Sequence, residues 1–361
     1  MRAIATFGPW PVRVPDDPGN ELSGLTWAES LGQSLFANEV LSAGAKVSCA
    51  SCHQADKGFS DQLPVGIGAD VGTRNTQGLL NSGLFRWFGW DGGADSLWAA
   101  SLRPMLAAHE MASSLHHVSQ VLKGNDEFVS AIEQHIADDI SDDISDDTEL
   151  RHWEDEATVV IAAKAIAAYV RTLNSGVTPF DRFRQALLNK DLSAQNRYPE
   201  SAKRGLKIFL SEANCRACHF GPNFSNSEFH DIGRPFFTGV GQVDPGRYQG
   251  IQLLQKNPYS LAGDYGVDVK NDQYLKTENV KLSQSNWGQW RTPSLRNLSL
   301  TAPYMHDGSL QSLRDVVDWY ADIDTDRLHA EGESILKPLN LNDQQRNDLV
   351  VFLESLSVSP Q

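Results

Sequence analysis

Two stretches of this chain, Cys49-Ala50-Ser51-Cys52-His53 and Cys215-Arg216-Ala217-Cys218-His219, repeat the pattern C-x-x-C-H and together use all 4 cysteines of its 361 residues. In that pattern two thiols can add to the vinyl groups of a heme while the adjacent histidine reaches the iron, which is why the spacing is fixed. A redox-active dithiol or a zinc ribbon also uses paired cysteines, but neither accounts for the histidine that closes both motifs. The expectation is two covalently bound c-type hemes, with His53 and His219 as iron ligands.

The flanks of the motifs repeat as well. Leu31–Phe36 leads into the first motif and Gly205–Phe209 into the second, each as a short amphipathic helical stretch, and Gly58-Phe59-Ser60-Asp61 is echoed by Asn223-Phe224-Ser225-Asn226. The sequence therefore predicts a mostly α fold of two cytochrome c-like heme lobes with long connecting loops. Residues 1–20, rich in proline and glycine, read as an extended N-terminal arm; 21–175 as an N-terminal heme lobe; and 176–361 as a C-terminal heme lobe. The broadly apolar run Glu154–Leu173 predicts a buried helix that stops at Asn174-Ser-Gly176. Further helices are expected over Ser312–Ile323 and Asp343–Leu356. The acidic run 138–147 reads as a solvated insert, and 233–289 as loops with short strands.

Charge and hydropathy exclude some partners. With 31 basic and 46 acidic residues the net charge is −15, which disfavours nucleic acid and anionic membranes. No stretch approaches the 18 or more apolar residues of a membrane span. Because C-x-x-C-H hemes are attached outside the cytoplasm, the expected location is periplasmic, with the targeting segment removed from or replaced in this chain.

The sixth iron ligands decide function, since an iron with an open side binds peroxide and a six-coordinate iron mainly transfers electrons. On this point other blocks are informative: Gly72-Thr-Arg-Asn75-Thr, Trp90-Asp-Gly-Gly93, Arg291-Thr-Pro-Ser-Leu-Arg-Asn-Leu298 and Thr301-Ala-Pro-Tyr-Met-His-Asp-Gly308. With the two heme motifs they resemble the bacterial di-heme cytochrome c peroxidase and MauG superfamily over roughly residues 25–358.

That resemblance implies roles for individual positions. Where the peroxidases carry a histidine that ligates the first heme until reduction frees it, this chain has Ile67, which cannot bind iron; the first heme is then open without prior reduction, as in MauG. Where the peroxidases place a methionine on the second heme, this chain has Tyr320, as MauG has a tyrosine. Trp90 matches the tryptophan between the hemes, and Pro104 and Glu110 match the distal pocket, where a buried glutamate assists O–O cleavage. Ala100 stands where the family often has a glutamine. The resemblance also implies a calcium ion between the hemes, held by Asn75 and the carbonyls of Thr301 and Pro303, and gives His306 a structural or propionate-side place. Ala213 replaces a surface tryptophan that MauG uses as an exit for oxidising equivalents.

Arg86-Trp-Phe-Gly-Trp-Asp-Gly-Gly-Ala-Asp-Ser-Leu-Trp98 and Gly246-Arg-Tyr-Gln-Gly-Ile251 resemble more closely the MbnH-type di-heme enzymes encoded beside small copper-binding proteins. The implied activity uses hydrogen peroxide to form a bis-Fe(IV) state and to oxidise tryptophan on a partner, including Trp to kynurenine on a small secreted copper-binding protein. The alternative is a cytochrome c peroxidase that reduces hydrogen peroxide to water with electrons from a small redox protein. A di-heme electron carrier without catalysis needs two six-coordinate irons, and no evident ligand fills the open side of the first heme.

Overall fold

The computed structural model describes residues 2–139, 150–234, 237–266, 272–324 and 336–358. Ten helices carry the architecture. We number them in chain order: α1 (Thr26–Phe36), α2 (Leu97–Leu106), α3 (Leu115–Lys123), α4 (Asp126–Asp139), α5 (Asp155–Thr172), α6 (Pro179–Leu188), α7 (Glu200–Leu210), α8 (Arg247–Lys256), α9 (Leu313–Ala321) and α10 (Asp343–Glu354). Strands are few and short. β1 (Phe229–His230) pairs antiparallel with β4 (Trp290–Arg291), in register His230 with Trp290, and β2 (Phe237–Gly239) with β3 (Gln242–Val243).

The helices gather into two hydrophobic cores. The first surrounds α5, whose Val159, Ala162, Ala163, Ala165, Ile166 and Ala167 are all buried. A helix apolar on nearly every side has to be central, and α1, α2 and α3 pack around it. The second core joins α6, α7, α9 and α10 through Phe180, Phe183, Phe209, Val317 and Phe352.

Each core has the same crossing. A Cβ on Gly32 of α1 would lie 1.9 Å from the carbonyl oxygen of Ala165, and one on Gly205 of α7 would lie 1.9 Å from that of Asp348. Both positions therefore require glycine, because the helix backbones themselves touch there. The repeated Gly-x-x-x-Phe of the two flanks places a glycine at the crossing and a buried phenylalanine, Phe36 or Phe209, one turn later.

The N-terminal arm differs from its expectation. It opens with a helical turn at Arg2–Ala5, and Phe7 is buried in the second core, its ring 4.6 Å from Phe224 and 5.5 Å from Phe180. Ten residues on, Asp17 caps α2 in the first core, accepting from the amides of Leu97 (2.9 Å) and Trp98 (3.1 Å). Burial pushes that carboxyl up to about 6. The arm thus ties the two cores together, which proline and glycine content alone does not reveal. Tyr259, far along the chain, likewise joins the first core. The stretch 233–289 also holds a ten-residue helix, α8, whose buried face carries Ile251 and Leu254 while Leu253 is exposed. Of the acidic run 138–147, residues 138–139 close α4 and the rest lie outside the described residues.

Candidate active site

Both motifs fold as a single tight turn. Cys49–Cys52 form one helical turn, opened by a hydrogen bond from the Ser48 amide to Ser51 Oγ. Cys215–Ala217 form a 3-10 turn after Asn214, which adopts a left-handed conformation (φ 48°). In each, the histidine amide donates to the carbonyl of the first cysteine at 2.9 Å, so the i, i+3 and i+4 side chains share one face.

The histidines are held alike. His53 Nδ1 lies 2.8 Å from the Phe59 carbonyl and His219 Nδ1 lies 2.9 Å from that of Phe224. A carbonyl only accepts, so Nδ1 carries the proton and Nε2 carries the lone pair, the arrangement found behind metal-bound histidines. Burial lowers the pKa of both rings, that of His219 to about 4, which keeps them neutral. Burial also pushes the thiols up, Cys52 to about 11 and Cys49 and Cys215 to about 12. Among the described residues no group of three His, Cys, Asp or Glu side chains converges on one point.

A cavity of about 880 Å³ runs past both motifs, within the upper range of ligand sites. The four cysteines, His53, His219, Trp90, Pro104, Glu110, Tyr320, Asn75, Thr301, Pro303, Ala100 and Ala213 all line it. Paired thiols and lone-pair histidines on one large cavity are a donor set that fits two covalently attached hemes.

On the His53 side, α2 lines the cavity with Leu97, Ala100, Ser101 and Pro104, residues on one helical face. Glu110 follows α2, with Oε1 3.6 Å from His109 Nε2 and 3.9 Å from Arg103 Nη2. Its side chain is 32% exposed and stands at the cavity wall between two basic groups. Ile67 points away, 54% exposed, on a loop docked to Glu110 by the Ala69 amide bonding the Glu110 carbonyl at 2.7 Å.

On the His219 side, Leu313, Val316 and Tyr320 of α9 line the cavity at helical spacing. Burial holds the Tyr320 phenol above the ordinary tyrosine range; Cys215 and Cys218 add to this and Arg234 opposes it, which places the phenol beside the second motif. Arg234 is buried, bonds Asp307 Oδ2 at 2.7 Å, and lies 4.3 Å over the Trp319 ring.

Between the two sides sits an aromatic group that the sequence reading did not anticipate as a unit. Trp90 Nε1 donates to the Asn75 carbonyl at 2.8 Å, and the Asn75 amide donates to that of His306 at 2.7 Å. The rings of Trp90 and His306 meet edge to face at 6.5 Å, while Trp290 stacks on His306 at 3.7 Å. His306 is buried, its pKa pushed down to about 4, and it is a stacked neutral imidazole. Arg74 clasps the region, bonding Asp244 at 2.6 and 2.8 Å and Asp91 at 2.6 Å. These bonds explain the Thr-Arg-Asn and Trp-Asp-Gly-Gly blocks. Trp290 was missed; its place next to Arg291 in the Arg-Thr-Pro block was the available signal. Of the calcium positions, Asn75 donates Nδ2 to the Leu63 carbonyl at 2.9 Å, which turns its nitrogen away and leaves Oδ1 as its donor to a cation.

A helical chain with two C-x-x-C-H turns opening on one cavity defines a di-heme protein of the cytochrome c type. The sequence profile described as di-haem cytochrome c peroxidase matches residues 27–188. Cytochrome-c peroxidase IdrP1 of Pseudomonas sp. (strain SCT) is 33% identical over 366 residues, covering 97% of this chain and 84% of that protein. Methylamine utilization protein MauG of Methylorubrum extorquens is 32% identical over 352 residues, covering 97% and 83%. Among solved structures, a MauG-like protein associated with microbial copper homeostasis superposes with a TM-score of 0.67 at 23% identity, covering 96% of this chain and 95% of that one. The chain belongs to the di-haem cytochrome c peroxidase and MauG family. It is a peroxide-dependent oxidoreductase, and its family implies two c-type hemes. Among the described residues no helix is long and apolar enough to cross a membrane.

Proposed function

We propose that this protein works as MauG does, taking two oxidising equivalents from hydrogen peroxide and using them on tryptophan of a partner protein in the periplasm. One observation carries the reading: Tyr320 lines the cavity beside the second motif, whereas Ile67, in place of a ligating histidine, is exposed and apolar at the first. One side of the cavity is thus left open for peroxide and the other is closed by an oxygen donor.

When bound, the two hemes supply peroxide reduction and storage of the oxidising equivalents. The chain does the rest. Cys49, Cys52, Cys215 and Cys218 would anchor them, and His53 and His219 would offer Nε2 to the irons. Glu110 takes a proton from peroxide and returns it to the leaving oxygen, with Arg103 and His109 holding the carboxylate at the cavity wall. Pro104 leaves the carbonyl one turn before it without a helical amide and keeps the pocket wall apolar. Trp90, fixed through Asn75, relays electrons between the two sides. Asn75 Oδ1 and the carbonyls of Thr301 and Pro303 would be the oxygen donors to a calcium ion.

The partner class follows from the resemblance to MbnH-type enzymes and from the copper-homeostasis protein of like fold: a small secreted copper-binding protein with an oxidisable tryptophan. The test is electron paramagnetic resonance of the ferric, heme-loaded protein. One high-spin and one low-spin heme, the latter alone altered in Tyr320→Phe, supports the assignment; two low-spin hemes overturn it in favour of the peroxidase reading, to which the 33% identity with IdrP1 also points.

A further inference from the structure

The ring system between the two motifs has a second aromatic pair close to it in the chain, nearer the surface. Trp290, 4% exposed, stacks on His306 at 3.7 Å with the planes 14° apart. The pair is rigid. The Arg291 amide bonds the Trp90 carbonyl at 2.9 Å, Arg291 Nε bonds the Gly89 carbonyl at 3.1 Å, and β4 is paired with β1. The indole Nε1 of Trp290 is buried with no hydrogen-bond partner. Among the described residues no side chain accepts this proton, and the Arg74 guanidinium lies 5.2 Å from the ring centroid, so a positive charge on Trp290 is not favoured to stay there. That is the chemistry of a reversible relay rather than of a site where a radical settles.

Outward from Trp290 lies a second aromatic pair. Trp287 is three residues away in the chain, so the two Cα atoms are at most roughly 11 Å apart. Its ring meets that of Tyr248 at 5.5 Å, and both rings are half-buried at the surface. The segment carrying Tyr248 touches Trp290 as well: a Cβ on Gly246 would lie 3.3 Å from the six-membered ring of Trp290, and the Arg247 amide bonds the Gln289 carbonyl at 2.9 Å. Trp90, His306 and Trp290 form one ring group and Trp287 with Tyr248 a second, joined through residues 287–290 and through the contact of Gly246 with Trp290.

We propose that these two groups together are the route by which oxidising equivalents leave the enzyme, with Trp287 and Tyr248 as the face on which an oxidisable protein partner docks. The proposal rests on the functional reading above, since peroxide is the oxidant. Each step moves one electron inward, from partner to Trp287, to Trp290 and on to Trp90. No proton moves at the buried rings. With no partner present, Trp287 gives its electron inward and its indole proton to water, and the radical so formed takes up dioxygen.

The experiment uses the heme-loaded full chain and repeated equivalents of hydrogen peroxide in aerated buffer without a reductant, followed by peptide mass spectrometry. Oxygen should accumulate on Trp287 and Tyr248 at least fivefold more than on Trp153, an equally half-buried tryptophan elsewhere on the surface. In Trp290→Phe this labelling, per peroxide consumed, should fall at least fivefold. Labelling that is unchanged overturns the relay. A surface variant guards against misfolding of the buried one: Trp287→Leu should lower Tyr248 oxidation, and undiminished oxidation overturns the path. A ferric protein that does not react with peroxide overturns the functional reading and the relay with it, whereas rapid reaction with equal labelling of Trp287, Tyr248 and Trp153 overturns the relay alone.

Discussion

Replacing Arg296 by Met tests how the second half of the molecule is held together. Arg296 Nη1 and Nη2 each bond Asp181 at 2.9 Å, its Nε bonds the Pro222 carbonyl at 2.6 Å, and the Trp10 ring lies 3.6 Å from the guanidinium. The two side chains are 1% and 5% exposed. Losing one partner of such a pair strands a buried charge, at a cost of about 3–5 kcal/mol. Thr178 still donates to Asp181 from its amide (2.9 Å) and its hydroxyl (2.8 Å), which favours the lower end. At about 2–4 °C per kcal/mol for units of 150–250 residues, the melting temperature should fall by about 6–12 °C in calorimetry at pH 7. The pH dependence checks the cause. Burial raises the Asp181 pKa, but Arg296 outweighs it and holds the carboxyl below its ordinary range. A depressed folded-state value means that the stabilisation is complete above the unfolded value of about 3.9 and fades as the pH falls below it. Parent and variant should therefore converge in acid. A shift under about 2 °C at pH 7, or one that persists unchanged at pH 3, refutes the reasoning.

Other expected outcomes are independent of this one. Gly32→Ala should destabilise by about 3 kcal/mol or more, because its Cβ meets the Ala165 carbonyl at 1.9 Å and overpacking a backbone contact exceeds the usual cost; denaturant titration of the heme-loaded protein measures it. Glu110→Gln should slow loss of the ferric spectrum after peroxide addition by about 10²–10⁴-fold, the ordinary worth of a positioned acid–base group, and stopped-flow absorption reads it. Tyr320→Phe should convert the second heme from low to high spin while heme attachment, seen by mass, stays complete.

Much of this was legible in the sequence for physical reasons that can be named. Covalent attachment of a heme fixes the C-x-x-C-H spacing, so the motifs were unambiguous, and α5 was visible because a helix apolar on all sides has to be central. The repeated Gly-x-x-x-Phe was visible as a pattern, but only the crossing distances show that the glycines are there to let backbones touch. What stayed hidden depends on distance along the chain. Nothing local says that Phe7 belongs to the second core or that Asp17 caps α2 some 80 residues away. Helix α8 was missed because most of its side chains face solvent. The stack of Trp290 on His306 joins a residue of β4 to one on a separate loop, and the place of Glu110 between Arg103 and His109 is set by three-dimensional packing.

The central claim is that the His53 side of the cavity is open to peroxide in the resting enzyme while Tyr320 closes the other. Adding one equivalent of hydrogen peroxide to the all-ferric protein, with no prior reduction, and recording visible and near-infrared absorption tests it directly. The account predicts rapid loss of the ferric spectrum together with a new near-infrared band from charge shared between the hemes. No reaction until one heme is reduced would contradict it, since that result requires a sixth ligand on the first heme, and the position that the resemblance gives to such a ligand is Ile67.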